Sequence, residues 1–334
     1  MRSRSRPGGL GLRARGAARY PDPIARLGDT DLDVFPLCLG GNVFGWTLDA
    51  ERSFAVLDAY VEGGGNFIDT ADIYGRHGSA GIGGSERIIG RWLAARGNRE
   101  RLTIATKVGM SAERPGLSRE AIEAGVTESL ERLGIDCIDL YYAHRDDERT
   151  PLEETLAAFA ELIAAGRVRH VAASNYSAAR LAEALALSAA REDLARYVAL
   201  QPHYNLMERD YEHELAALCA REGLACIPYF GLARGFLTGK YKRDGAAIDS
   251  PRAAGVRESY FNERGFAVLD ALQEIASAHR VAPAAVALAW LRLQPTVLAP
   301  IASATSPEQL AQLMPSATLA LSAAEVQRLT AAGA

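Results

Sequence analysis

Eight short apolar runs, each separated from the next by a longer amphipathic segment, set the pattern of the chain from residue 37 to 301. They are Leu37–Leu39, Asn66–Asp69, Leu102–Lys107, Ile138–Ala143, Val168–Ala172, Tyr197–Gln201, Leu224–Tyr229 and Val297–Ile301. They are apolar throughout instead of alternating, as strands covered on both faces of a parallel sheet must be. The segments between them carry helical periodicity over 50–62, 84–95, 119–133, 151–165, 177–188, 210–222, 263–278 and 283–293. Start signals agree: Ser118 precedes a helix with Glu120 early, and Thr150-Pro151 and Ser306-Pro307 each offer a cap followed by proline. Eight strands with intervening helices predict an α/β fold, a (β/α)8 TIM barrel. An open doubly wound sheet is the competitor, but GIGGSE (81–86) lacks the third glycine of a dinucleotide fingerprint and follows no strand. Residues 24–36 read as two short β pieces around a Gly-Asp turn, a hairpin closing the bottom of the barrel. With no linker in view, residues 23–334 read as one barrel domain.

The first twenty residues hold six arginines and no acid, so 1–22 reads as a disordered basic tail; a secretory apolar segment is missing from it. A formal net charge of -4 offers no electrostatic reason to expect nucleic acid as a partner. No apolar run approaches the roughly eighteen residues a membrane span requires. Cys38, Cys137, Cys219 and Cys226 form no CxxC pair and sit among apolar neighbours, reading as buried free thiols in a reducing, cytoplasmic setting. The six histidines include no HxH or HExxH pair, so no metal is expected. The implied partner is a small molecule; oligomeric state is left open.

In a barrel the chemistry sits where strands end, at the C-terminal mouth. The second run ends on Asp69 with Tyr74 in the loop after it, the third on Lys107, the fourth on His144, the fifth on Ser174-Asn175, the sixth on Gln201 and the seventh on Tyr229. A phenol with a pKa near 10 is a poor proton donor at neutral pH unless a neighbouring ammonium lowers that value. Lys107 is placed to do so, Asp69 to hold the lysine charged, and His144 to hydrogen-bond a carbonyl oxygen facing Tyr74. Such a set suits moving a proton on or off a carbonyl or alcohol oxygen.

The segments DTADIYG, IATKVG, YYAHRDD, SNYS, QPHYN and PYFGLARGFLTGKY resemble the signatures of the aldo-keto reductase superfamily, its bacterial branch more than the mammalian aldose reductases. The resemblance runs from about Ile24 to Leu329. It implies reversible NAD(P)H-dependent reduction of an aldehyde or ketone, with Tyr74 as general acid, Lys107 and Asp69 tuning it, and His144 orienting the carbonyl. It also implies that Ser174, Asn175 and Gln201 hold the carboxamide, with Asp69 beside them, and that Tyr229 stacks on the nicotinamide. Phe230, Gly231, Leu232, Arg234 and Lys240 fall in the segment crossing the pyrophosphate. Ile301, Ser303, Thr305 and Gln309 fall in the adenosine-phosphate loop, and Gly41 and Asn42 near the cofactor. The expected cofactor is NADPH, with NADH not excluded, because Phe230 replaces a common serine and Ser303 and Thr305 stand where a cation is common.

Trp46, past the end of the first strand, reads as a wall of the substrate pocket, with Tyr74 and His144 as its other substrate contacts. His203 reads as a structural histidine, and Asp146 and Asp147 as helix caps. Three alternatives stand beside the reductase. A nucleotide-sugar ketoreductase would share its chemistry. A channel-type regulatory subunit would bind the cofactor without depending on turnover. A Schiff-base aldolase would want Lys107 without a carboxylate partner, which Asp69 argues against. Substrate choice falls to the loops 76–84, 111–117 and 244–260, whose shapes the sequence leaves open.

Overall fold

Every one of the eight apolar runs contributes a strand to one parallel sheet in the computed structural model, which describes residues 24–334 apart from 244, 246, 247 and 249. The basic tail expected over 1–22 lies outside the described residues. The hairpin strands are β1 (Ala25–Arg26) and β2 (Asp33–Val34), paired antiparallel. The sheet comprises β3 (Cys38–Gly40), β4 (Phe67–Asp69), β5 (Thr103–Val108), β6 (Ile138–Ala143), β7 (Val168–Ser174), β8 (Tyr197–Gln201), β9 (Ala225–Cys226) and β10 (Ile301–Ala302). Their spatial order is β10-β3-β4-β5-β6-β7-β8-β9. The chain just before β10 completes the circle: Cys226 N donates to Thr296 O at 2.8 Å, Leu298 N to Cys226 O at 2.9 Å, and Ile301 N to Pro228 O at 2.9 Å.

The helices are α1 (Ala50–Glu62), α2 (Gly84–Arg96), α3 (Arg119–Leu133), α4 (Leu152–Ala164), α5 (Ala178–Ala190), α6 (Leu215–Glu222), α7 (Ala253–Tyr260), α8 (Glu263–His279), α9 (Pro283–Arg292), α10 (Pro307–Leu313) and α11 (Ala323–Ala332). Their ends follow local chemistry. The Ser118 side chain accepts from Ala121 N to start α3, and Gly134, at φ 64°, ends it; such a cap is worth about 1 kcal/mol. The main helical differences from the sequence reading are four. Pro151 occupies the cap of α4 instead of its first turn. A short 3-10 turn at Asp210–Glu222's start, Asp210–Glu212, is separated from α6 by a break at His213. The loop expected over 244–260 contains α7, and α11 was not anticipated.

The core divides into two layers. An inner cluster takes residues from every barrel strand, among them Cys38, Phe67, Ala105, Leu140, Ala172, Ala199, Ala225 and Ile301, and joins them to Leu27, Leu32 and Val34 of the hairpin. The outer cluster lies between strands and helices. The hairpin therefore plugs the interior. It is anchored at the N-terminal ends of the strands, where Arg169 and His170 each meet Asp31 at 2.7 Å and Asn66 Oδ1 accepts from Phe35 N at 2.7 Å. Cys38, Cys219 and Cys226 are buried, whereas Cys137 is half-buried. No helix among the described residues is long and apolar enough to cross a membrane.

Candidate active site

Side chains alternate along a strand with a period of two, so a residue two positions beyond an inward-facing one also faces the barrel interior. Two residues beyond Phe67, Ala105, Tyr142, Ala172, Ala199 and Ile227, all members of the inner cluster, stand Asp69, Lys107, His144, Ser174, Gln201 and Tyr229. The apolar interior thus gives way to polar groups one pleat nearer the C-terminal mouth. Asp69, His144, Ser174, Gln201 and Tyr229 line a cleft of about 590 Å³, a size suited to a sizeable ligand, and Lys107 is buried against Asp69 and Tyr74.

Lys107 is fully buried, and its Nζ donates to Asp69 Oδ2 at 2.7 Å and Thr70 O at 2.7 Å. Its third partner is the Tyr74 hydroxyl at 3.4 Å. Gln201 Nε2 donates to the other Asp69 oxygen at 2.9 Å. Burial opposes the Lys107 charge, but Asp69 and Tyr74 together outweigh it and raise the pKa, so the ammonium persists. For Tyr74 burial is the largest influence and pushes the phenol up; Lys107 pulls it down without cancelling that effect. The lysine acts in the direction the sequence suggested, yet the net displacement is upward, so the phenol keeps its proton. Burial, followed by Lys107, Arg145 and Arg76, holds the His144 imidazole well below its ordinary value. A neutral His144 stands edge-on to the Tyr74 ring, with centroids 6.1 Å apart, and its buried Nδ1 has no partner among the described residues.

The cleft also collects most of the residues the sequence assigned to a cofactor. Asn42, Asp69, Ser174, Asn175, Gln201, Tyr229, Phe230, Gly231, Leu232, Arg234, Lys240, Ile301, Ser303, Thr305 and Gln309 all line it, with Trp46 on the wall. Gly41 does not: its carbonyl accepts from Ser85 Oγ behind the cleft, and an added Cβ would lie 2.9 Å from that oxygen. Asn175, Phe230 and Arg234 line the cleft with left-handed backbones (φ 56°, 54° and 58°). Such residues are costly unless the surroundings enforce them, and they concentrate at functional sites. Asp146 and Asp147 lie outside the cleft lining: Asp146 pairs with Arg180 of α5 at 2.8 Å, and Asp147 accepts from Leu117 N at 2.9 Å. Neither is a helix cap, since Pro151 holds that place in α4 and Ser177 in α5.

Two features escaped the sequence reading. Arg252 enters the cleft from the loop before α7, its guanidinium 5.3 Å from the Trp46 ring and 6.0 Å from that of Phe230. The other is Asp72, within DTADIYG itself, which does not line the cleft and is buried, its Oδ1 without a partner among the described residues. It lies in the field of Glu86, which accepts from Thr106 Oγ1 at 2.6 Å and Arg132 Nε at 2.6 Å. Burial first, then Glu86, pushes the Asp72 carboxyl up to about 7.

That displacement predicts an unusual pH response. Between about pH 3.8 and pH 7 the unfolded chain gives up this proton while the folded chain keeps it. Stability therefore falls as pH rises through that window, by at most about 4 kcal/mol. Asp72→Asn is expected to be more stable than the parent at pH 8 and nearly equal to it at pH 4. Denaturant melts at both values test this, and an equal difference at the two would refute it.

A profile of the family described as the Aldo/keto reductase family matches residues 36–334. The norsolorinic acid reductase stcV of Emericella nidulans is 33% identical, over 89% of this chain and 77% of its own. A probable voltage-gated potassium channel subunit beta of Oryza sativa is 35% identical, over 86% of this chain and 89% of its own. The NADP(+) aldo-keto reductase yakc of Schizosaccharomyces pombe is 31% identical, over 84% of this chain and 82% of its own.

Proposed function

The chain belongs to the aldo/keto reductase family, and from that premise we propose that it reduces an aldehyde or ketone to the alcohol, reversibly, with NADPH as cofactor. One observation carries the reading: a buried lysine held by Asp69 and Thr70 stands 3.4 Å from the Tyr74 hydroxyl, beside an uncharged His144.

The cleft's own chemistry supports a dinucleotide. Arg234, Lys240 and Arg252 line it, and none of the three forms an ion pair with an acid among the described residues. Arg234 Nε is buried and lacks an acceptor among the described residues. Three cations without an acidic partner among the described residues suit an anion such as a pyrophosphate. Ser174, Asn175 and Gln201 would hold an amide edge, and Tyr229 would meet the nicotinamide face. NADPH is favoured over NADH by likeness to the NADP(+) aldo-keto reductase of Schizosaccharomyces pombe. Thr305 and Gln309, bonded to each other at 2.8 Å, offer the adenosine end hydroxyl and amide groups without a cation.

When bound, the nicotinamide supplies a hydride to the carbonyl carbon. Neutral His144 donates a hydrogen bond to the carbonyl oxygen and orients it toward Tyr74. Tyr74 gives its proton to that oxygen, and the adjacent Lys107 ammonium stabilises the phenolate left behind. Asp69 and Thr70 fix the ammonium, and Trp46 walls the substrate side. An aldolase reading loses ground because Lys107 is charged and carboxylate-bound, the reverse of a Schiff-base lysine.

Purified protein mixed with NADPH or NADH and a panel of aldehydes and ketones tests the proposal by loss of nicotinamide absorbance. Turnover with at least one carbonyl is expected, faster with NADPH. Tight nucleotide binding with no turnover across the panel would overturn it in favour of a regulatory role like the one named for the rice relative.

A further inference from the structure

We propose that His203 is a positioning residue for the cofactor, its ring backing Tyr229 so that Tyr229 stands as a fixed platform at the cleft wall. The inference rests on the reading above, in which Tyr229 receives the nicotinamide. The His203 and Tyr229 rings are stacked, with centroids 5.2 Å apart and planes 13° from parallel. One face of Tyr229 is thereby covered, and the other is left to the cleft that Tyr229 lines. Two further contacts fix the same residue, one at the ring's hydroxyl and one at its backbone. Its hydroxyl donates to Asn175 Oδ1 at 2.8 Å, and its backbone N donates to Pro202 O at 3.0 Å.

Hydrogen bonding does not explain His203. Its Nε2 is buried with no partner among the described residues, and no side-chain bond to its ring is formed there. Burial keeps the imidazole below its ordinary pKa, with Glu208 opposing and Arg234 assisting, so the ring is a neutral, flat surface. What lies beyond it explains the need. A second cavity of about 180 Å³ is bordered by His203 with Asn175, Tyr176, Pro202 and Tyr211, and Tyr229 does not reach it. His203 is the wedge between that space and Tyr229. Without the wedge Tyr229 is free to tilt into the space, and a ring that must be ordered on binding binds less well.

The test compares nucleotides with and without the nicotinamide. Calorimetric titrations are run on the parent, His203→Ala, His203→Leu and His203→Phe with NADPH and with 2′-phospho-ADP-ribose. The Ala variant is expected to bind NADPH about three- to tenfold more weakly, the range of one aromatic stacking contact, and the fragment within about twofold of the parent. The Leu variant, which fills the volume without a flat face, is expected to show the same selective loss, and the Phe variant to restore NADPH affinity. Unchanged NADPH affinity, equal loss of both ligands, or failure of Phe to rescue would overturn the role of His203. A parent protein that binds neither NADPH nor NADH would instead bring down the functional reading, and the proposal with it.

Discussion

Tyr74→Phe is expected to lower the turnover number for carbonyl reduction by about 10²- to 10⁴-fold, the usual contribution of a positioned general acid, while the affinity for nucleotide stays within about twofold. The substitution is narrow. It keeps the ring that stands edge-on to His144 and lies 4.9 Å below the Lys107 ammonium, and deletes only the hydroxyl at 3.4 Å from Nζ. A fall in turnover without loss of binding therefore isolates proton donation. The parent should also show its own pH signature. Because Tyr74 is displaced upward and His144 downward, neither titrates near neutrality, so the reductive rate should be flat from about pH 6 to pH 9. It should fall only in alkaline solution as the phenol loses its proton, and alcohol oxidation should gain over the same range. Equal rates for Tyr74→Phe and the parent would remove Tyr74 from the role.

How much of this could be read from the linear chain depends on whether the relevant distance is local. Asp69 follows Phe67 by one pleat, and Lys107 follows Ala105 in the same way, so each side chain's direction is set by its own strand. Strand ends in a barrel converge, and the meeting of Asp69, Tyr74, Lys107 and His144 was legible for that reason. Arg252 was not. Its contact with Trp46 joins residues about two hundred positions apart through a segment without strong periodicity, and nothing near residue 252 specifies it. For His203 the chain signals only a structural histidine, because its stacking partner belongs to the next strand's end. Asp72 was hidden differently: it sits in the most informative motif, yet a turn of the backbone sends it back toward Glu86 of α2 and Arg132 of α3. The missed α11 is another matter, since Ser322 and Glu325 form a capping box visible in the sequence.

Lys107→Met should reduce stability and activity together, and the pair of effects can be separated. With the lysine gone, Asp69 is a buried carboxylate whose remaining side-chain donor among the described residues is Gln201 at 2.9 Å, and Thr70 O loses its bond to Nζ. Leaving one charge of a buried pair uncompensated costs about 3–5 kcal/mol, whereas replacing both members by neutral groups is often close to neutral. Lys107→Met is therefore expected to lower unfolding free energy by that amount, and Asp69→Asn combined with Lys107→Met to recover most of it. Activity should not recover, because the double variant restores packing without returning a positive charge to the phenol. Denaturant melts and carbonyl turnover measured on both singles and the double close the thermodynamic cycle. If the double variant regained turnover along with stability, Lys107 would be serving the barrel and not the chemistry, since a neutral methionine cannot stabilise a phenolate.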